Sequence, residues 1–295
     1  MTNSIHPGTK LGYVHLIVHD LKKSLAFYQD VLGFKIHSQT GDTARLGAGG
    51  ADTCTATHPV RCKCLLVLTE NPSARPVPRT TGLYHFAILV PSRFNLAQSL
   101  RQLADTETPV QGFADHLVSE AIYLSDIDGN GIEIYRDRPR DQWYDARGNF
   151  RMGTDPLDLR GVLSELDGRP EKWMGLVPGT VLGHMHLQIA DVRRDEAFYR
   201  DVLGFDVMAN LGSASFVSAG GYHHHLGMNT WNSAGAPPPP PDAVGLRYFT
   251  VELPNRAELS QVVDRLQKAG TGIEEAETGM LVRDPSHNGL VLTLA

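Results

Sequence analysis

The chain contains the stretch LGYVHLIVHDLKKSLAFYQDVLGF at residues 11–34 and repeats it as LGHMHLQIADVRRDEAFYRDVLGF at residues 182–205. The octamer FYxDVLGF is the same in both copies. Two further pairs of segments follow in the same order: 82–103 with 245–266, and 126–135 with 284–294. Self-similarity at a nearly constant offset indicates an internal duplication. Two halves of about 120 residues therefore share one plan.

Each half divides again into two modules. Every module opens with an alternating, strand-like segment, and a segment with helical spacing of its apolar residues follows. The four opening segments are YVHLIV (13–18), YHFAIL (84–89), HMHLQI (184–189) and RYFTVE (247–252). This order predicts an α+β fold of four βαβββ modules that form two open barrels, and the first and last strands of each module line a cavity.

Domain boundaries follow from the modules. We expect an N-terminal half over residues 1–140 with modules one and two, a connecting segment over 141–180, and a C-terminal half over 181–295 with modules three and four. Pro-rich loops at 71–82 and 232–245 separate the modules within each half. The connecting segment contains one short helical candidate, PLDLRGVLSEL.

Composition excludes several classes of protein. Of the 295 residues, 41% are hydrophobic and 20% charged, which is typical of a globular protein. The net charge of −6, without a Lys/Arg run, argues against a nucleic-acid partner. No apolar stretch suits a membrane span, and no signal peptide is visible, so we expect a cytoplasmic protein. Cys54, Cys62 and Cys64 are expected to be reduced, with Cys62 and Cys64 on one side of a strand.

Histidines recur near the start of the opening strands, at His15, His85 and His186. Glu133 lies between Ile132 and Ile134 in GIEIY, so its carboxylate should point away from the isoleucine face and into a barrel. Burying a carboxylate is costly, and metal coordination is one way to offset that cost. Two histidines and one carboxylate form the facial triad of non-haem iron(II) oxygenases.

The run ADHLVSEAIYLSDIDGNGIE (114–133) carries a more specific spacing of His116, Tyr123, Asp126 and Glu133. It resembles the signature of type I extradiol ring-cleavage dioxygenases of the vicinal oxygen chelate superfamily. The whole chain resembles the compact bacterial catechol 2,3-dioxygenases. Two loop positions depart from the signature, Ala114 in place of Gly, Asn or Thr and Ile127 in place of Pro.

The resemblance implies roles for these residues. Glu133 would be a metal ligand, Tyr123 would hydrogen-bond the substrate oxygen on the metal, and His116 would be a donor near substrate and dioxygen. A second tract, GGYHHHLGMNTW (220–231), resembles the strand that carries the acid/base histidine of this family. That resemblance makes His224 the catalytic acid/base. In a strand its side chain would face away from those of its two neighbouring histidines.

The third metal ligand depends on how the modules pair. If sequence neighbours pair, the site would use His15 with His85 and Glu133. If modules two and three pair, His186 replaces His15 and His224 enters the same cavity. We favour the second arrangement, because it brings every part of an extradiol site together, and we predict His85, Glu133 and His186 as ligands.

The expected function is an iron(II)-dependent extradiol dioxygenase, with manganese(II) as the alternative metal. Its partners would be dioxygen and a catechol or related dihydroxy-aromatic. Two other classes stay open: a glyoxalase-like isomerase or thiol transferase, and a metal-free small-molecule binding protein. The sequence does not decide between catechols and hydroquinones, the ring substituents, or whether the chain forms a homo-oligomer.

Overall fold

A computed structural model describes residues 4–49 and 64–295 of the chain. Cys54 and Cys62, and with them the predicted Cys62–Cys64 strand pattern, lie outside these residues. The described strands are β1 (Lys10–Val18), β2 (Lys35–Thr40), β3 (Thr43–Gly47), β4 (Cys64–Glu70), β5 (Gly82–Leu89), β6 (Gly112–Asp115), β7 (Ser119–Ser125), β8 (Gly131–Asp137), β9 (Val181–Gln188), β10 (Asp206–Asn210), β11 (Ala214–Ser218), β12 (Leu226–Asn229), β13 (Gly245–Leu253), β14 (Ile273–Ala276), β15 (Gly279–Arg283) and β16 (Gly289–Leu294). The α-helices are α1 (Leu21–Ala26), α2 (Arg93–Asp105), α3 (Leu159–Leu163), α4 (Val192–Ala197) and α5 (Arg256–Lys268).

These strands form two eight-stranded sheets. One has the order β14-β15-β16-β13-β1-β4-β3-β2, and the other has the order β10-β11-β12-β9-β5-β8-β7-β6. The first sheet therefore combines modules one and four, and the second combines modules two and three. The predicted four-module α+β fold is confirmed, and the sheets have the crossed pairing rather than the pairing of sequence neighbours.

The opening strand of each module leads into a helix that begins at a capped residue. The four caps are Asp20, Ser92, Asp191 and Asn255, and each side chain accepts a hydrogen bond from the backbone N–H three residues later. Such a cap satisfies one of the helix's otherwise unpaired N–H groups, which explains the choice of short polar residues. The caps also align the modules: the residue seven positions before each cap is Tyr13, His85, His184 or Tyr248.

The repeated FYxDVLGF motif serves the same structural purpose in both halves. After α1 and α4 the backbone continues as π-helical turns, Phe27–Val31 and Phe198–Leu203. Each turn buries the motif tyrosine completely. The Tyr28 hydroxyl donates to Asp126 Oδ2 at 2.8 Å, and the Tyr199 hydroxyl donates to Asp284 Oδ2 at 2.9 Å. The motif therefore ties the helix of one module to the turn before the last strand of the next.

Contacts between Cα atoms divide the chain into two compact units. Unit 1 comprises residues 1–19, 71–86 and 183–295, and unit 2 comprises 20–70 and 87–182. Among the fully buried side chains of unit 1 are Leu16, Tyr199, Phe205 and Phe249, and among those of unit 2 are Phe34, Leu46, Leu66 and Tyr135. No helix of the described residues is long and apolar enough to cross a membrane.

The connecting segment contains α3 within its predicted helical stretch, so that prediction is confirmed. Cys64, at the start of β4, is a free thiol. Burial raises its pKa to about 11, so it stays protonated at neutral pH and is a poor nucleophile. The three-part division of the chain at residues 140 and 180 stays a prediction.

Candidate active site

Two buried histidines of unit 1 face each other across neighbouring strands. His85 on β5 and His184 on β9 have their Nε2 atoms 3.2 Å apart. Two imidazole nitrogens bound at a right angle to one ion, with metal–nitrogen distances of roughly 2.1 Å, would be about 3 Å apart. The observed separation fits that arrangement. Both residues occupy the position seven residues before a helix cap, so the fold places them equivalently.

His186 lies two residues further along β9, on the same face as His184. Its Nε2 is 3.0 Å from Asn229 Nδ2. The Oδ1 of Asn229 accepts the backbone N–H of Trp231, which directs the amide NH₂ toward His186. Nε2 of His186 is therefore a hydrogen-bond acceptor. Gly227 lies opposite His186 in the register, and a Cβ there would come within 3.0 Å of the imidazole Cγ.

His224 belongs to the same cluster of histidines. Its ring centroid lies 4.1 Å from that of His184. Burial, together with His184, His223, His186 and His85, holds the pKa of His224 well below its usual range. The ring is therefore neutral at pH 7.

The neighbours of His224 take different positions from those expected. His223 Nδ1 is 2.8 Å from His224 Nδ1, so the two rings contact each other. The expectation that they face opposite sides of a strand is wrong, because residues 223–225 precede β12 and lack its regular alternation. His225 Nδ1 accepts the backbone N–H of Ala219, and burial lowers the pKa of His225 to about 4.

Unit 2 contains the acidic residue of the signature and its partner tyrosine. Glu133 on β8 is 2% exposed and lies directly opposite Tyr123 on β7. Directly opposed residues of an antiparallel pair project from the same face of the sheet. The ten-residue spacing between Tyr123 and Glu133 therefore follows from the register of the β7–β8 hairpin.

Two other signature residues have distinct surroundings. His116 Nε2 lies 2.6 Å from the Tyr123 hydroxyl, and His116 Nδ1 lies 2.8 Å from the carbonyl oxygen of Gly153. Asp126 accepts hydrogen bonds from the Tyr28 hydroxyl and from the backbone N–H and the side-chain amide of Asn130. Asp126 therefore closes a turn, whereas His116 and Tyr123 form a side-chain pair.

Within the described residues, His85, Glu133 and His184 form a group that could hold a metal ion, with one ligand atom from each and all of these atoms within 4.8 Å of one another. All three are buried. This donor set has the chemistry of a two-histidine, one-carboxylate iron(II) site. His186, the ligand predicted from the sequence, is not a member of this group, and neither is His15, whose ring packs on Tyr248 at 4.9 Å.

Modules one and four carry different residues at the equivalent positions. Tyr13 and Tyr248 replace the two histidines, and Val291 takes the place of Glu133. The two phenol oxygens are 3.4 Å apart, and the Tyr13 hydroxyl also lies 3.1 Å from Thr278 Oγ1. The two phenols therefore hydrogen-bond to each other at the positions where modules two and three carry the two imidazoles that could bind a metal.

Comparison with known proteins identifies the family. Residues 10–134 and 181–292 match the model of the Glyoxalase/Bleomycin resistance protein/Dioxygenase superfamily. The chain belongs to this superfamily. The family predicted from the signature is therefore confirmed.

Individual relatives agree with this assignment. The chain is 46% identical over 287 residues to catechol-2,3-dioxygenase from Bacillus subtilis (strain 168), covering 96% of both proteins. Among solved structures, a Bacillus subtilis protein with a provisional dioxygenase assignment aligns with a TM-score of 0.65 and 12% identity, covering 99% of this chain and 86% of that one. Glyoxalase I from Zea mays aligns with a TM-score of 0.57 and 15% identity, covering 97% of this chain and 92% of that one. At these identities the two structures show the shared fold alone.

The residue that sequence reasoning missed is His184. Aligning the two halves through FYxDVLGF places His186 opposite His15 and gives His184 no histidine counterpart. The helix caps supply the missing signal, because counting seven residues back from Ser92 and Asp191 pairs His85 with His184.

Proposed function

We propose that this protein is an extradiol dioxygenase that holds iron(II), or alternatively manganese(II), through His85, Glu133 and His184. Its substrates would be dioxygen and a catechol or related dihydroxy-aromatic, whose ring opens next to the two hydroxyl groups. The buried group of two histidines and one carboxylate carries this proposal. The 46% identity to a catechol-2,3-dioxygenase over nearly the whole of both chains supports it.

The third ligand in this proposal is His184, in place of the His186 predicted from the sequence. His186 Nε2 accepts a hydrogen bond from Asn229, so its lone pair is already used. The neutral ring then carries its proton on Nδ1, which leaves neither nitrogen suited to a metal. His184 Nε2 instead faces His85 Nε2 at 3.2 Å.

When bound, the metal would lower the pKa of a coordinated hydroxyl and bring the aromatic ring and dioxygen together. The residues of the chain would handle the protons and orient the substrate. His224, whose ring lies 4.1 Å from that of His184, would take a proton from the substrate and return it to an oxygen atom later in the reaction. Tyr123, opposite Glu133, would contact the substrate oxygen beside the metal.

The test combines metal analysis with turnover. Iron-loaded protein mixed with catechol in air should consume one dioxygen per catechol and produce a coloured, ring-opened product. His184→Ala should lose the metal, whereas His186→Ala, the matched control two residues away, should keep it. Loss of metal from His186→Ala with retention in His184→Ala would restore the ligand set predicted from the sequence. Stoichiometric metal without oxygen consumption, with several catechols tried, would contradict the dioxygenase function.

A further inference from the structure

Part of the connecting segment is paired with the strand that leads to His116. Asp115 and Asp155 exchange two backbone hydrogen bonds of 2.8 Å, and the Gly153 N–H donates to the His116 carbonyl at 3.2 Å. Residues 153–155 therefore lie beside the end of β6 as a short antiparallel segment. Three backbone bonds fix the Gly153 carbonyl relative to the imidazole.

Close packing leaves little freedom in this contact. A Cβ on residue 153 would lie 3.1 Å from Leu117 Cδ1, which is tighter than an ordinary contact. Glycine at this position therefore lets the backbone lie close to Leu117. Leu117 itself has φ +68°, a left-handed conformation that leucine rarely adopts. Its N–H donates to Asp115 Oδ1, and Asp115 is also ion-paired with Arg138. These bonds offset the backbone strain and hold the His116 loop in one geometry.

The Gly153 carbonyl determines which nitrogen of His116 carries the proton. A carbonyl oxygen only accepts hydrogen bonds, so the contact of 2.8 Å requires a proton on Nδ1. In the neutral ring Nε2 is then an acceptor, in place of the donor that the resemblance implies. Its contact of 2.6 Å with the Tyr123 hydroxyl must therefore use the tyrosine proton. The phenol O–H points at His116, so toward any further partner the phenol oxygen can only accept a hydrogen bond.

We propose that the connecting segment is a positioning element of the substrate site. Through Gly153 it holds His116 as an acceptor, which makes Tyr123 a hydrogen-bond acceptor toward a substrate hydroxyl. This inference rests on the proposed function and narrows its substrate class. The diol must keep an O–H group beside Tyr123, so catechols should form this hydrogen bond and their dimethyl ethers should not.

The tautomer can be measured without any substrate. Nitrogen NMR of the full-length protein with ¹⁵N-labelled histidine should show His116 protonated at Nδ1 and unprotonated at Nε2. Tyr123→Phe should shift the Nε2 resonance and leave Nδ1 protonated. A proton on Nε2 in the unsubstituted protein would overturn the proposal, whatever the enzyme's activity.

The direction of the tyrosine bond is tested by anaerobic binding to the iron-loaded protein. Tyr123→Phe should weaken catechol binding about tenfold, the effect of losing one hydrogen bond. It should leave the affinity for the dimethyl ether of catechol unchanged, because neither of its oxygens has a proton to give. An equal loss for both ligands would mean that Tyr123 donates, and would overturn the proposal. Tyr144→Phe, at a partly exposed tyrosine of the same connecting segment, is the control.

His116 variants separate positioning from stability. Glutamine can place an oxygen near the position of Nε2, so His116→Gln should keep the difference in affinity between catechol and its ether. His116→Phe should abolish that difference. Equal behaviour of the two variants would contradict an acceptor role for His116. If the unsubstituted iron-loaded protein binds no catechol, the proposed function fails, and the NMR measurement still decides the tautomer.

Discussion

Replacing Asp195 with serine should make the protein more stable above neutral pH. Asp195 on α4 is fully buried, its Oδ2 lies 3.2 Å from the half-exposed Arg194, and Ser286 also hydrogen-bonds its carboxylate. Burial raises the pKa of Asp284 to about 7, and the nearby Asp195 carboxylate adds to this effect. Burial also raises the pKa of Asp195. Serine is the residue at the equivalent position of module one, Ser24.

The expected magnitude follows from the titration of Asp284. An acid with a pKa near 7 in the folded chain and about 3.9 when unfolded holds more protons in the folded state between these values. The free energy of unfolding then falls as pH rises through this window, by up to about 4 kcal/mol. Burial is the larger cause, so removing Asp195 should recover about 1–2 kcal/mol above pH 7. The lost pair with half-exposed Arg194 contributes under about 1 kcal/mol. The substituted serine hydroxyl can still accept a hydrogen bond from Ser286, which limits the loss there.

Urea unfolding at pH 5 and pH 8 measures this difference. Asp195→Ser should unfold at higher urea than the unsubstituted protein at pH 8, and the gain should shrink or disappear at pH 5. The reciprocal change, Ser24→Asp, is the matched control, since no hydrogen bond reaches Ser24 Oγ among the described residues. It should destabilise the protein most at high pH. A gain for Asp195→Ser that is equal at both pH values would refute the electrostatic reasoning.

Four other outcomes are expected. Tyr28→Phe removes a donor from buried Asp126 and should cost about 1–3 kcal/mol of unfolding free energy in urea titrations. Gly227→Ala forces a Cβ against the His186 ring and should lower the unfolding free energy by about 1–3 kcal/mol. An unchanged unfolding free energy would contradict this packing argument. His224→Phe should keep the metal and lose turnover by roughly 10²–10⁴-fold, and loss of the metal would make His224 a ligand. Elemental analysis should find about one iron or manganese per chain, because modules one and four carry tyrosines at the histidine positions, and two tightly bound ions would contradict this.

Much of the site could be predicted because its parts are close in the sequence. Tyr123 and Glu133 lie on two strands of one hairpin, so their ten-residue spacing fixes which side chains oppose each other. His116 is seven residues from Tyr123, and the resemblance to the extradiol signature already paired them with the substrate. Spacing within one module does not depend on how the modules pair, so the sequence alone can reveal it.

By itself, the sequence determined the duplication, the four βαβββ modules, the superfamily, and the residues Glu133, Tyr123 and His85 as site candidates. The sequence left two pairings of the modules open and favoured that of two and three only through the resemblance to an extradiol site. The tertiary structure decided between them, since strand order in a sheet depends on contacts between distant segments. It also separated His184 from His186. Both histidines project from one face of β9. The His186 imidazole accepts a hydrogen bond from Asn229, 43 residues away in the sequence, whereas Nε2 of His184 lies 3.2 Å from Nε2 of His85.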